Sequence, residues 1–79
     1  MNEKAKVLEI LKEIKPTVNL EDVKDIIDGG YMDSMELMGL IAAISDAFGV
    51  EVGFEWIAPE NFNSVDAITE MVCKLKEQG

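Results

Sequence analysis

The sequence predicts an all-α fold, a bundle of three main helices plus one short helix with a long loop between the first and second. Three observations predict it. Apolar residues recur at helical spacing in three separate segments. Pro and Gly fall where those segments stop. The one weakly alternating stretch, Val50 to Phe54, has no second strand to pair with and reads as a connector. At 79 residues the chain predicts a single domain, 1–79. A domain of that size buries only about 60% of its unfolded surface, so each apolar face has to be used.

From Glu3 to Ile14, Val7, Leu8, Ile10, Leu11 and Ile14 form a helical stripe among Lys and Glu, and Pro16 marks its end. Residues Thr17 to Met32 hold no sustained period. They mix Leu20, Val23, Ile26 and Ile27 with Asn19, Asp22, Asp25, Asp28 and the pair Gly29-Gly30, which predicts a long loop with room for a short turn. Its aliphatic residues are the expected pins onto the bundle; Glu21 and Asp22 read as solvated charge.

Ser34 to Phe48 predicts the second helix. Asp33 followed three residues later by Glu36 makes a capping-box start, and Gly49 supplies the stop. Pro59 to Phe62 has the length of one helical turn. Asn63 or Ser64 then caps a last helix with a stripe of Val65, Ile68, Val72 and Leu75, ahead of a Lys-rich end and Gly79. Phe54 and Trp56 are expected to anchor the connector.

Charge narrows the function classes. The net charge is −9, every basic residue is Lys, and no cation occurs between Lys24 and Lys74. Nucleic acid is a poor partner for such a surface, because phosphate affinity needs clustered cations; basic protein surfaces suit it. With no His and no Arg, general bases and anion clamps are scarce, and the chain is not expected to be an enzyme. Cys73 stands alone, so no internal disulfide forms, and it reads as a small, partly buried apolar residue. The Met1-Asn2-Glu3-Lys4 start lacks signal-peptide character, and no apolar run is long enough to span a membrane. A cytoplasmic monomer is the expectation.

On a helical wheel the second helix has two apolar faces. Leu37, Leu40, Ile41, Ile44 and Phe48 group as a core face. Away from it lie Met35, Met38, Gly39, Ala42 and Asp46, an apolar strip edged by acid. Methionines on such a strip suit a surface that repacks against several partners; the alternative is that Met35 and Met38 pack beneath the long loop. Ser34 occupies the first turn, where unpaired amides and the helix dipole favour an attached phosphate. An EF-hand register places Asp25, Gly30, Tyr31, Asp33 and Glu36 correctly, but Ile27 and Gly29 at the third and fifth positions offer no side-chain oxygen, and no metal site is expected.

Asp33-Ser34-Met35 after a long loop, at the start of the second helix of an acidic chain, and followed by Phe48-Gly49-Val50, resembles the phosphopantetheine-attachment motif of acyl carrier proteins. The stretch Asn61-Phe62-Asn63-Ser64-Val65-Asp66-Ala67-Ile68 is similar to that family's join between its third and fourth helices. The family's motif is most often Asp-Ser-Leu. Met35 in place of Leu, with Gly30-Tyr31-Met32 leading into Asp33, looks more like D-alanyl carriers and stand-alone peptidyl carriers. The resemblance implies an acyl-carrier-like bundle in which Ser34 bears 4′-phosphopantetheine taken from coenzyme A, with the arm's thiol holding an acyl or aminoacyl cargo as a thioester. It implies that Asp33 helps position the transfer and the transferase's metal, and that Met35, Glu36, Met38 and Ala42 meet partners. Those partners would be a phosphopantetheinyl transferase and adenylating or acyl-transferring enzymes with basic docking surfaces. The first and last helices and the inner face of the second would enclose the core. The alternative is an acidic helical interaction module with no prosthetic group, to which Ser34 would be dispensable.

Overall fold

The structure, a computed structural model, describes residues 2–78 of the chain. Met1 and Gly79, the latter read as the residue beyond the last helix, lie outside the described residues. Three main helices carry the bundle: α1 (Glu3–Ile14), α2 (Ser34–Phe48) and α4 (Val65–Gln78), with the one-turn α3 (Pro59–Phe62) between the last two. No strand occurs among the described residues. α1 packs against both α2 and α4, and α3 lies on α4.

Local chemistry explains the helix limits. At the start of α2, Asp33 Oδ1 accepts from the Glu36 amide at 2.7 Å, and the Glu36 carboxylate accepts from the Asp33 amide at 3.1 Å. Gly49 closes α2 in the left-handed region (φ 64°), which a side chain would make costly. Of the two candidate caps for α4, Ser64 serves: its hydroxyl accepts from the Ala67 amide at 3.0 Å.

The core combines Val7, Ile10 and Leu11 of α1 with Leu40, Ile41 and Ile44 of α2 and Val65, Ile68, Val72 and Leu75 of α4. Met71 is buried beside that last stripe although the sequence reading passed over it. Leu37 and Phe48 are only half-buried at the margins of the α2 face. The residues between α1 and α2 form turns, and three of them, Leu20, Ile26 and Met32, enter the core as pins. Burying each such side chain contributes roughly 1.5–3 kcal/mol, enough to hold an otherwise irregular segment in place.

The same loop is also fastened by polar contacts. Asn63, just before α4, accepts at Oδ1 from the amides of Ile27 and Asp28 (both 3.0 Å) and donates from Nδ2 to Asp28 Oδ2 at 2.9 Å. The Asn63 carbonyl accepts from the Ile26 amide at 2.8 Å. Gly30, at φ 75°, turns the chain immediately afterwards, and the Tyr31 amide returns to the Ile26 carbonyl. Asn63→Ala removes the side-chain part of this clamp and strands two amides. We expect a loss of about 1–3 kcal/mol in urea unfolding, with faster amide exchange at Ile27 and Asp28 while α1 and α4 stay protected.

The connector after α2 departs from expectation at one aromatic. Trp56 packs half-buried against the core, but Phe54 is 90% exposed. Both belong to a 3₁₀ turn, Phe54–Trp56, in which successive side chains point about 120° apart, so a single turn cannot aim both inward. Asn61 Nδ2, donating to the Trp56 carbonyl at 2.8 Å, ties this turn to α3.

Lys76 Nζ lies 2.7 Å from Glu3 Oε2 and ties the end of α4 to the start of α1. That ammonium holds the Glu3 carboxyl down at about 2.

Candidate functional site

Ser34 is the first residue of α2 and is exposed. Asp33 takes the capping position, so its carboxylate and carbonyl engage the Glu36 and Leu37 amides. The amides of Ser34 and Met35, as the first two of a helix, have no intrahelical acceptor and lie at the positive end of the dipole. A phosphodiester on the Ser34 hydroxyl would sit among donors of the right sign. The loop clamped by Asn63 and the buried Met32, two residues before Ser34, fix where this turn is presented.

Beyond Ser34 the outer face of α2 is open. Met35 is 84% exposed and Met38 58%, with Gly39, Ala42 and Asp46 also exposed. This decides between the two readings of the methionines: they do not pack beneath the loop. A Cβ at Gly39 would meet nothing within 4 Å, so nothing inside the fold requires glycine there. Tyr31, 40% exposed, adds an aromatic just before the turn that holds Ser34.

Glu36 stands apart from the rest of the expected partner surface. Its side chain is turned inward, 29% exposed, with Oε1 bound to the Asp33 amide and Oε2 3.1 Å from Lys15 Nζ at the end of α1. Lys15 was not legible as a site residue, because 21 positions separate the two partners and no local spacing links them. Of the EF-hand register's acids, Asp33 meets Glu36 only through the capping box, and no group of three or more His, Cys, Asp or Glu fit to hold a metal occurs among the described residues. Cys73 is half-buried on α4.

Comparison with known proteins matches this architecture. A family model for the phosphopantetheine attachment site covers residues 4–72. The D-alanyl carrier proteins of Streptococcus sanguinis (strain SK36) and Streptococcus gordonii (strain Challis) are each 31% identical to this chain over 81 aligned residues, spanning 96% of it and 98% of the relative. That of Streptococcus thermophilus (strain LMD-9) is similar to the same extent. The prosthetic group of such a protein is 4′-phosphopantetheine, whose thiol supplies the thioester chemistry, and catalysis belongs to the enzymes that visit it. The chain belongs to the phosphopantetheine-attachment family and is a carrier protein rather than an enzyme.

Proposed function

We propose that Ser34 is the attachment residue and that the chain, acting as a single carrier domain over residues 1–79, carries an amino acid, D-alanine, as a thioester on the arm. The observation that carries the assignment of Ser34 is an exposed hydroxyl on the first residue of a capped 15-residue helix, at two unpaired amides. Asp33 serves twice in this reading, as the cap that shapes the turn and as the carboxylate offered to the transferase and its metal. The D-alanyl cargo rests on the names of the relatives and on Met35 following the serine.

The partners in this reading are a phosphopantetheinyl transferase and an adenylating enzyme that loads the amino acid. They dock on Met35, Met38 and Ala42, and Gly39 between them leaves room for a partner backbone. The acidic edge at Asp46, with no Lys between 24 and 74, matches basic docking surfaces. The carrier works as a monomer in the cytoplasm, consistent with a lone thiol and with the absence of any helix long and apolar enough to cross a membrane among the described residues.

The test is sequential loading followed by intact mass. The protein is first converted with coenzyme A, magnesium and a broad-specificity transferase, then incubated with ATP, D-alanine and a D-alanine-adenylating enzyme. An alanyl increment on the arm that hydroxylamine removes is the expected result. Conversion to the phosphopantetheinyl form without alanylation, alongside efficient loading of a fatty acyl group, would overturn the aminoacyl assignment.

A further inference from the structure

Lys15 closes α1, its amide donating to the Leu11 carbonyl at 2.8 Å and its own carbonyl accepting from Val18 just past Pro16. Its ammonium reaches across to α2 and lies 3.1 Å from Glu36 Oε2 and 3.4 Å from Oε1. Glu36 Oε1 in turn accepts from the Asp33 amide, and Asp33 Oδ1 from the Glu36 amide. One continuous chain of contacts therefore runs from the end of α1 to the turn that holds Ser34.

This ion pair differs from the others in the described residues. Lys15 and Glu36 are 25% and 29% exposed, whereas Lys4–Asp66, Lys24–Asp66 and Lys74–Glu70 are all more than half exposed and Lys76 of the Glu3 pair is 44% exposed. Open pairs contribute little because water screens them and the side chains lose entropy on pairing; a pair under a third exposed on both sides is screened less. The capping box brings two carboxylates, Asp33 and Glu36, onto one another's backbone amides in a stretch where the sequence supplies no cation. Lys15 is the counter-charge that keeps Glu36 turned onto the Asp33 amide instead of swinging into solvent.

We propose that Lys15 is a positioning residue for modification of Ser34, acting through the Glu36 carboxylate on the capping box. The proposal rests on Ser34 as the attachment residue. In that modification the Ser34 oxygen bonds to the pantetheine-side phosphorus of coenzyme A, the pyrophosphate bond breaks, adenosine bisphosphate leaves, and the serine proton passes to a base of the transferase. Lys15 touches none of these atoms. It holds the first turn of α2 in the geometry the transferase meets, where fraying would otherwise misplace the hydroxyl.

The experiment compares wild type, Lys15→Met, Lys15→Arg, Glu36→Gln and the double variant Lys15→Met/Glu36→Gln. It reads transferase kcat and KM by intact mass and amide exchange at Asp33 and Glu36 by NMR. Lys15→Met is expected to lower kcat about fivefold, the scale of one partly screened charge-assisted hydrogen bond, with KM little changed and Asp33 exchange accelerated. Lys15→Arg restores loading, and Lys15→Met adds nothing in the Glu36→Gln background. An effect on KM that persists undiminished in the Glu36→Gln background identifies Lys15 as a docking cation for the transferase and overturns the proposal. Unchanged kcat and exchange in Lys15→Met overturn it too. If the folded wild type is not loaded at all, the attachment reading fails, and the exchange rates still decide the coupling: acceleration in Lys15→Met upholds it, no change ends it.

Discussion

Ser34→Ala is expected to abolish the mass increment of one phosphopantetheine that the wild type gains from coenzyme A and a transferase, while leaving the fold intact. The two halves of this expectation have separate causes. In the proposed transfer the hydroxyl oxygen is the only atom of Ser34 that forms a bond, so no residual modification is expected at this position. The fold does not use that hydroxyl. Asp33, not Ser34, caps α2, and both reciprocal bonds of the capping box run between Asp33 and Glu36. Ala is a better helix former than Ser, and an exposed first-turn substitution that leaves the cap in place changes stability by about 0.5 kcal/mol or less. Intact mass and a urea melt on the same sample check both halves. A Ser34→Ala protein that still gains the arm would move the attachment to another hydroxyl.

Phe62→Ala is expected to cause the largest loss of stability. Phe62 is 1% exposed and is the only buried residue of α3, which at four residues has too few internal hydrogen bonds to persist alone. Phe62 joins three parts of the molecule. With Ile27 of the loop, Leu37 of α2 and Ile57 of the connector it lines a small apolar recess, and Asn63, the residue after it, begins the polar clamp on that same loop. Truncation opens a cavity and loosens the neighbouring clamp. The expected cost is about 3–5 kcal/mol, a large share of the roughly 5–15 kcal/mol that holds an ordinary domain together. Urea unfolding followed by helical circular dichroism measures it. A cost below about 1 kcal/mol would show that the surrounding side chains collapse into the space. Because Ile27 and Leu37 flank the turn that holds Ser34, the weakened protein is also expected to be a slower substrate for the transferase.

The two variants bear on different levels of the same design. One removes the chemistry and keeps the scaffold; the other keeps the hydroxyl and loosens the elements that present it. Between them stand the Asn63 clamp and the Lys15–Glu36 pair, both of which hold the entry to α2 from outside that helix.

Much of the fold was legible because its determinants are local. Val7, Ile10, Leu11 and Ile14 repeat at steps of three or four before Pro16, while a capping box of Asp33 and Glu36, a left-handed Gly49 and a cap at Asn63 or Ser64 each act over four residues or fewer, and the helix limits follow from them. The Ser34 turn was legible as a helix start for the same reason, since Asp33-Ser34-Met35 followed by Glu36 is a local pattern. The exposed methionine strip followed from the wheel once one face of α2 had been assigned to the core.

Other features needed the third dimension, because they depend on residues that no local spacing connects. Asn63 clamps Ile27 and Asp28 across 36 and 35 positions, and Lys15 reaches Glu36 across 21; helical periodicity carries no information at those distances. Glu36 could be read from its neighbours as a cap and from its charge as a docking residue, and only the approach of α1 showed that its carboxylate is already engaged. Phe54 and Trp56 are alike in hydrophobicity and lie two apart, so the sequence held no preference between them; a single 3₁₀ turn packed against the core leaves one exposed and half-buries the other. Sequence alone determined the helices, the capping box and Gly49 stop of α2, and the serine at its start. Tertiary packing decided which polar side chains hold that serine in place, because those contacts exist only after distant segments are brought within a few ångströms of one another.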